Sequence, residues 1–162
     1  MNKDSQEISP YLDPITQEIL SRGLFLRLKV SGRSMQPFIR TDDILLVEPK
    51  DTAKFNIGDI LFYRHSLGFY IAHRLIKKSD SGDMLTRGDN LYYYDQPVSI
   101  EQLMGRVTQI DRGNKRLTLT GGIGRVFGCL IAWLARGHYP SQIRLMRNMG
   151  RVYWLTGGRR AT

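Results

Sequence analysis

Ser34 lies in "VSGRSMQPFIRTDDILLVEP", residues 30–49, where an apolar alternation ends and a turn begins, with Gly32 two residues before it and Met35 directly after. A serine hydroxyl attacks a carbonyl at neutral pH only when a base within hydrogen-bond reach takes its proton. The oxyanion that follows needs fixed donors. Candidate bases are His65, His73 and the lysines, and sequence separation does not rank them, because such partners meet only in the fold. Taken alone, "SGRSM" is weak evidence and reads as a polar loop sooner than as a nucleophile turn. No metal or cofactor is expected. His65, His73 and His138 lack zinc-type spacing, and a single cysteine, Cys129, allows neither an internal disulfide nor a thiolate cluster. Within the apolar run "VFGCLIAWLA", Cys129 reads as buried packing.

The elements that would position Ser34 are mostly strands. "DPITQEILSRG" predicts a short helix with Asp13 as N-cap, Pro14 in the first turn and Gly23 just past the end. In "LFLRLKV", Leu24, Leu26, Leu28 and Val30 alternate as one apolar face of a strand. "DILLVEP", "GDILFYRH" and "FYIAHRLIKK" follow as β-rich runs, then a "SDSGD" hairpin loop, "MLTRGDN", and two strands within "LMGRVTQIDRGNKRLTLT" joined through "DRGN". Many short strands separated by Gly, Asp and Asn turns predict a mainly β protein with a small barrel or sandwich core. After Thr120 the pattern turns helical, and two amphipathic segments broken near Gly137 and Pro140 are expected. The expected organisation is an N-terminal helix (1–23), a β domain (24–120) and a basic C-terminal segment (121–162).

Read in order, "SGRSMQPFI", "DDILLV", "GDILFY", "AHR", "RGDN" and "MGRV" resemble the signal peptidase I superfamily of serine endopeptidases over residues 28–108. Each block is weak alone; six in the right order are specific. The resemblance implies a signal-peptidase-like β core and hydrolysis of a peptide bond through an acyl-enzyme. The family uses either a Ser–Lys dyad or a Ser–His–Asp arrangement. His73 followed by Arg74 stands at the base position, so the chain looks like the Ser–His type. The resemblance then implies Ser34 as nucleophile, His73 as general base and Asp95, six residues after Asp89, as the group that orients His73. Lys77 is the alternative base, and Asp89 is either a loop-holding residue or the competitor of Asp95. Met35 is expected to line the substrate groove and the Ser34 N–H to donate to the oxyanion; Gly32 supplies no hydroxyl as a second donor. One departure is Asp42, where the family usually has glycine; if that position needs positive φ, Asp tolerates it better than most residues.

Charge is unevenly spread. Residues 1–111 hold all 15 acidic residues against 14 Lys or Arg, whereas residues 112–162 hold ten Lys or Arg and no acid, so the net +9 belongs to the last third. Residues 1–22 show no apolar signal-peptide core, and the ten-residue run 126–135 is about 15 Å of helix, half a hydrocarbon core. A cytoplasmic or peripheral-membrane location is therefore expected. Trp133, Tyr139, Tyr153 and Trp154 are candidate interfacial side chains for membrane contact through residues 121–162. The expected partner is a peptide or protein precursor with small residues on the acyl side of the cut. Nucleic acid is the less favoured partner for the basic segment. The rival functions are a regulator like the self-cleaving repressors and a catalytically idle interaction module.

Overall fold

The computed structural model describes residues 13–136 together with Met149, Val152, Trp154, Arg159 and Arg160. Helix α1 (Asp13–Ser21) ends as its sequence requires. Gly23 adopts φ 75°, its N–H donates to Leu20 O, and the Leu24 N–H donates to Ile19 O, which closes the helix C-terminus. Leu24 thus belongs to this cap and is exposed rather than continuing the apolar face of the following strand.

Strands β1 (Leu26–Lys29), β2 (Ile44–Pro49), β3 (Ile60–Arg64), β4 (Tyr70–Lys78), β5 (Met84–Arg87), β6 (Leu103–Arg112) and β7 (Lys115–Thr118) precede helix α2 (Gly122–Ala135) and the two-residue strand β8 (Arg159–Arg160). They form one antiparallel sheet in the order β1-β2-β6-β3-β4-β5, with β7 pairing both β6 and β8. The protein is mainly β, as its turn pattern implied, but among the described residues the sheet path runs from β1 to β5 without closing into a barrel.

Strand β6 is the hub. One edge pairs with β2; the other pairs with β3 near its start and with β7 near its end. The register shift opposite Leu46 and Val47 leaves Thr108 as the extra residue, and its hydroxyl donates to Leu46 O. Such a bulge bends the strand, so one strand can serve two directions of the sheet.

Strands β3 and β4 bury both faces. Ile60, Phe62 and Tyr70 join a core with Leu45, Val47, Val107, Ile110, Ile131 and Trp154. Leu61, Tyr63 and Leu75 join a second core with Phe55, Met84, Val98 and Leu103. Successive side chains point to opposite faces, so the neighbours His73 and Arg74 leave β4 on opposite sides.

Helix α2 approaches the start of β3 closely because both surfaces are glycine there. A Cβ on Gly58 would lie 2.4 Å from the carbonyl carbon of Gly128 and 2.6 Å from the Cys129 nitrogen, and Gly58 also has φ 94°. Ile131, Ala132 and Ala135 are buried on the same inner side of the helix. Two expectations for this region are corrected. Cys129 is exposed, beside the packed face of α2, with its thiol donating to Ile57 O at 3.3 Å. Trp154 is buried and donates its indole N–H to Phe38 O, so it is a core residue and not an interfacial one. The second amphipathic segment expected beyond Gly137 and Pro140, with Tyr139 and Tyr153, lies outside the described residues.

The Gly58–Gly128 approach yields a paired prediction. Gly58→Ala adds a backbone clash to an unfavourable φ and should cost about 2–5 kcal/mol. Gly82→Ala meets the same φ penalty at 93° but only an ordinary 3.5 Å contact with Ile100, and should cost roughly half as much. Urea denaturation of the two variants measures the difference.

Candidate active site

The Ser34 turn is fastened at its base. Val30 N–H donates to Asp43 O and Asp42 N–H to Val30 O, which closes residues 31–41 into a loop. Asp42 holds φ 73°, the only described non-glycine residue with positive φ, so the position that departs from the family pattern does demand that conformation. Asp43 is buried, accepts from the Arg40 N–H, and receives both Nε and Nη2 of Arg112 at 2.8 and 2.6 Å. Arg112 also donates to Phe38 O and stacks 3.9 Å from the Trp154 ring centroid. Met35, Phe38 and Ile39 are buried within the loop, and the Gln36–Pro37 peptide is cis.

A second fastening comes from the turn after β5. Asn90 N–H donates to Ser34 O at 2.8 Å, Asn90 Nδ2 reaches Arg33 O, and Asp89 N–H points to Met35 Sδ. Gly88 permits this approach, since a Cβ there would lie 2.7 Å from Ser34 O. Asp89 accepts a two-pronged ion pair from Arg74, Nε to Oδ1 at 2.8 Å and Nη2 to Oδ2 at 2.6 Å, while Arg74 Nη1 donates to Gly58 O at 2.7 Å. The pair is almost fully buried, with side chains 4% and 1% exposed.

On the other face of β4, His73 is buried and brings three predicted residues together. Its Nε2 lies 2.9 Å from Ser34 Oγ and its Nδ1 lies 2.7 Å from Asp95 Oδ2. An ionised carboxylate only accepts, so Nδ1 carries the proton and donates it to Asp95. Nε2 then offers a lone pair to the Ser34 hydroxyl. Asp95 is set beside β5 by its N–H, which donates to Thr86 O. Neither Lys77, at the exposed end of β4, nor His65, stacked on Phe69, takes the position beside Ser34 that His73 occupies. Asp89 is engaged by Arg74 on the far face and does not meet His73.

Two residues of this site carried no sequence signal. The Thr86 hydroxyl donates to Asp95 Oδ2 at 2.7 Å, and Tyr63 OH lies 3.2 Å from the same hydroxyl. Having given its single proton to Asp95, Thr86 accepts from Tyr63. Burial, and then the charge of Asp95, raise the Tyr63 phenol well above its ordinary value of 10.0, so it remains a proton donor.

Ser34 and His73 border a cavity of about 600 Å³, walled also by Phe69, Leu91, Tyr93 and Tyr94. On another side lies a small apolar recess of about 10 Å³ lined by Leu28, Val30, Gly32, Met35, Phe62 and Ala72. Met35 thus borders the recess and not the large cavity. Among the described residues, no three His, Cys, Asp or Glu side chains group as metal ligands would.

An antiparallel β fold with a serine, histidine and aspartate in contact at a cleft is a peptidase-like architecture. The chain belongs to the Peptidase S24-like family, whose profile matches residues 5–108. The matched stretch contains Ser34, His73, Arg74, Asp89 and Asp95 and ends within β6, before β7 and α2. No curated protein and no solved structure matches the chain.

Removing one member of the Arg74–Asp89 pair leaves a buried charge without a partner. Arg74→Met and Asp89→Leu should each cost about 3–5 kcal/mol, while the double variant Arg74→Met/Asp89→Leu should lose much less than the two combined. A double-mutant cycle in urea measures this coupling. Tyr63 gives a pH prediction. Its folded value lies above 10.0, so the unfolded state loses this proton first. Its stabilisation is complete below that pH and lost as pH rises above it. Denaturation midpoints should fall more steeply above about pH 10 in the native sequence than in Tyr63→Phe.

Proposed function

We propose that the protein is a serine endopeptidase that cleaves a signal or leader peptide from a precursor through an acyl-enzyme. The observation that carries this reading is the hydrogen-bonded series Ser34 Oγ, His73 Nε2, His73 Nδ1 and Asp95 Oδ2, with separations of 2.9 and 2.7 Å. His73 Nε2 takes the Ser34 proton as Oγ bonds to the scissile carbonyl carbon. The resulting oxyanion accepts from the Ser34 N–H, which has no acceptor among the described residues. The imidazolium, held by Asp95, then protonates the departing amine as the C–N bond breaks, leaving an ester on Ser34. A water gives its proton to Nε2, attacks the ester and releases the acid, and the proton returns to Oγ. Thr86 and Tyr63 direct the Asp95 carboxylate toward the ring.

The family match also accommodates self-cleavage, in which a segment of the chain itself enters the cleft.

Both readings are tested with purified protein, by intact mass for self-cleavage and by new N-termini generated from a peptide library for cleavage in trans. Ser34→Ala and His73→Ala should each lower the rate on the order of a thousandfold or more, and Asp95→Asn should lower it less than loss of the nucleophile does. Cleavage at the same bonds by folded Ser34→Ala would refute the proposal.

A further inference from the structure

Helix α2 is apolar on both sides. Gly124, Gly128, Ile131, Ala132 and Ala135 face the body of the protein. On the opposite side Ile123, Val126, Leu130 and Trp133 are 60, 66, 42 and 66% exposed. Their spacing of three, four and three residues aligns them in one stripe. A helix apolar all round belongs in a core or against lipid, and among the described residues the outer stripe has no core over it. Fourteen residues rise about 21 Å, too little to cross a bilayer, and the inner side is already packed on β4 and against Gly58. The geometry that remains is a helix lying in the plane of a surface.

We infer that the outer stripe of α2 inserts into the interface of a bilayer containing anionic lipid. Charge favours this occupant. Arg125 and Arg136 are exposed along one edge of the helix, and residues 112–162 hold ten Lys or Arg and no acid, of which Arg112 and Arg116 are paired with Asp43 and Asp111. A second copy would bring the same cations face to face. Nucleic acid would find aliphatic side chains where phosphate contacts are needed. The indole of Trp133 suits a headgroup boundary.

Contact at α2 also sets the cleft at the lipid surface. The Tyr94 hydroxyl lies 3.3 Å from Ala135 O and 3.4 Å from Arg136 O, at the C-terminal end of the helix. Tyr94 and its neighbour Tyr93 wall the cavity beside Ser34, and Tyr92 and Tyr93 are themselves exposed aromatic side chains. A precursor held at a membrane would meet the cavity rim without a membrane-spanning helix in the described residues.

The inference is independent of the chemistry at Ser34. The full chain is sedimented with phosphatidylcholine vesicles with and without phosphatidylglycerol, across a salt series, and Trp133 is followed with bromine-labelled acyl chains. Binding should require phosphatidylglycerol, weaken with salt and persist in part at high salt, because apolar burial is not screened. Lipid bromine should quench fluorescence in the native sequence but not in Trp133→Phe, which retains only Trp154. Val126→Ser/Leu130→Ser, both at exposed positions, should bind at least about tenfold more weakly with an unchanged circular dichroism spectrum. Ser34→Ala should bind like the native sequence. No binding to phosphatidylglycerol vesicles, equal binding by the serine variant, loss of all binding at high salt, or a stripe-dependent dimer in sedimentation equilibrium would each overturn it.

Discussion

The ion pair between Arg74 and Asp89 is the contact on which the rest of the site depends. Two charges this deeply buried are tolerable only while they hold each other, since either one alone would keep its desolvation cost without its partner. The pair ties β4 to the turn after β5, and the remaining arm of Arg74 ties both to the Gly58 carbonyl at the start of β3. Because Asn90 N–H follows Asp89 and donates to Ser34 O, the position of the Ser34 turn is set from the far side of the sheet. His73 precedes Arg74 on the same strand, so one rigid backbone segment presents the imidazole on one face and anchors its hydroxyl partner on the other.

The Ser34 turn would not be fixed by that link alone. Arg112 and Trp154 converge on Asp43 and Phe38, so the far end of β6 and a residue from the C-terminal third close the loop from below. Asp95 has a comparable support in Thr86 and Tyr63, with the raised Tyr63 phenol donating inward. These groups act on orientation. An imidazole whose Nδ1 proton is committed to a fixed carboxylate can present only its other nitrogen to Ser34, which is what a base in this position needs.

What could be read in the sequence follows from what is local. The helix end at Gly23 and the turns at "SDSGD" and "DRGN" depend on nearest neighbours and match the structure, whereas the apolar alternation read from Leu24 begins only at Leu26 and β3 and β4 are buried on both faces. The meeting of Ser34, His73 and Asp95 was legible only through the order of several motifs, because the residues come from a turn, a strand and a loop 61 positions apart at the extremes. Thr86 and Tyr63 look like ordinary strand residues; their role arises from the register of β5 beside β4 and from burial next to Asp95. Trp154 and Cys129 exchanged their expected environments for a related reason. Local hydropathy marks a residue as apolar but does not say which apolar residues of a two-sided helix, or of a distant segment, the sheet will cover.

Cleavage at Ser34 would turn on His73 serving as the acceptor for the Ser34 proton. Nitrogen-detected NMR of the protein labelled at histidine tests this without a substrate. In its neutral form the His73 ring should show a protonated Nδ1 with a strongly downfield proton and an unprotonated Nε2. Asp95→Asn should abolish the downfield signal, and Ser34→Ala should shift Nε2. A native His73 with its proton on Nε2, or one indifferent to both substitutions, would contradict the account.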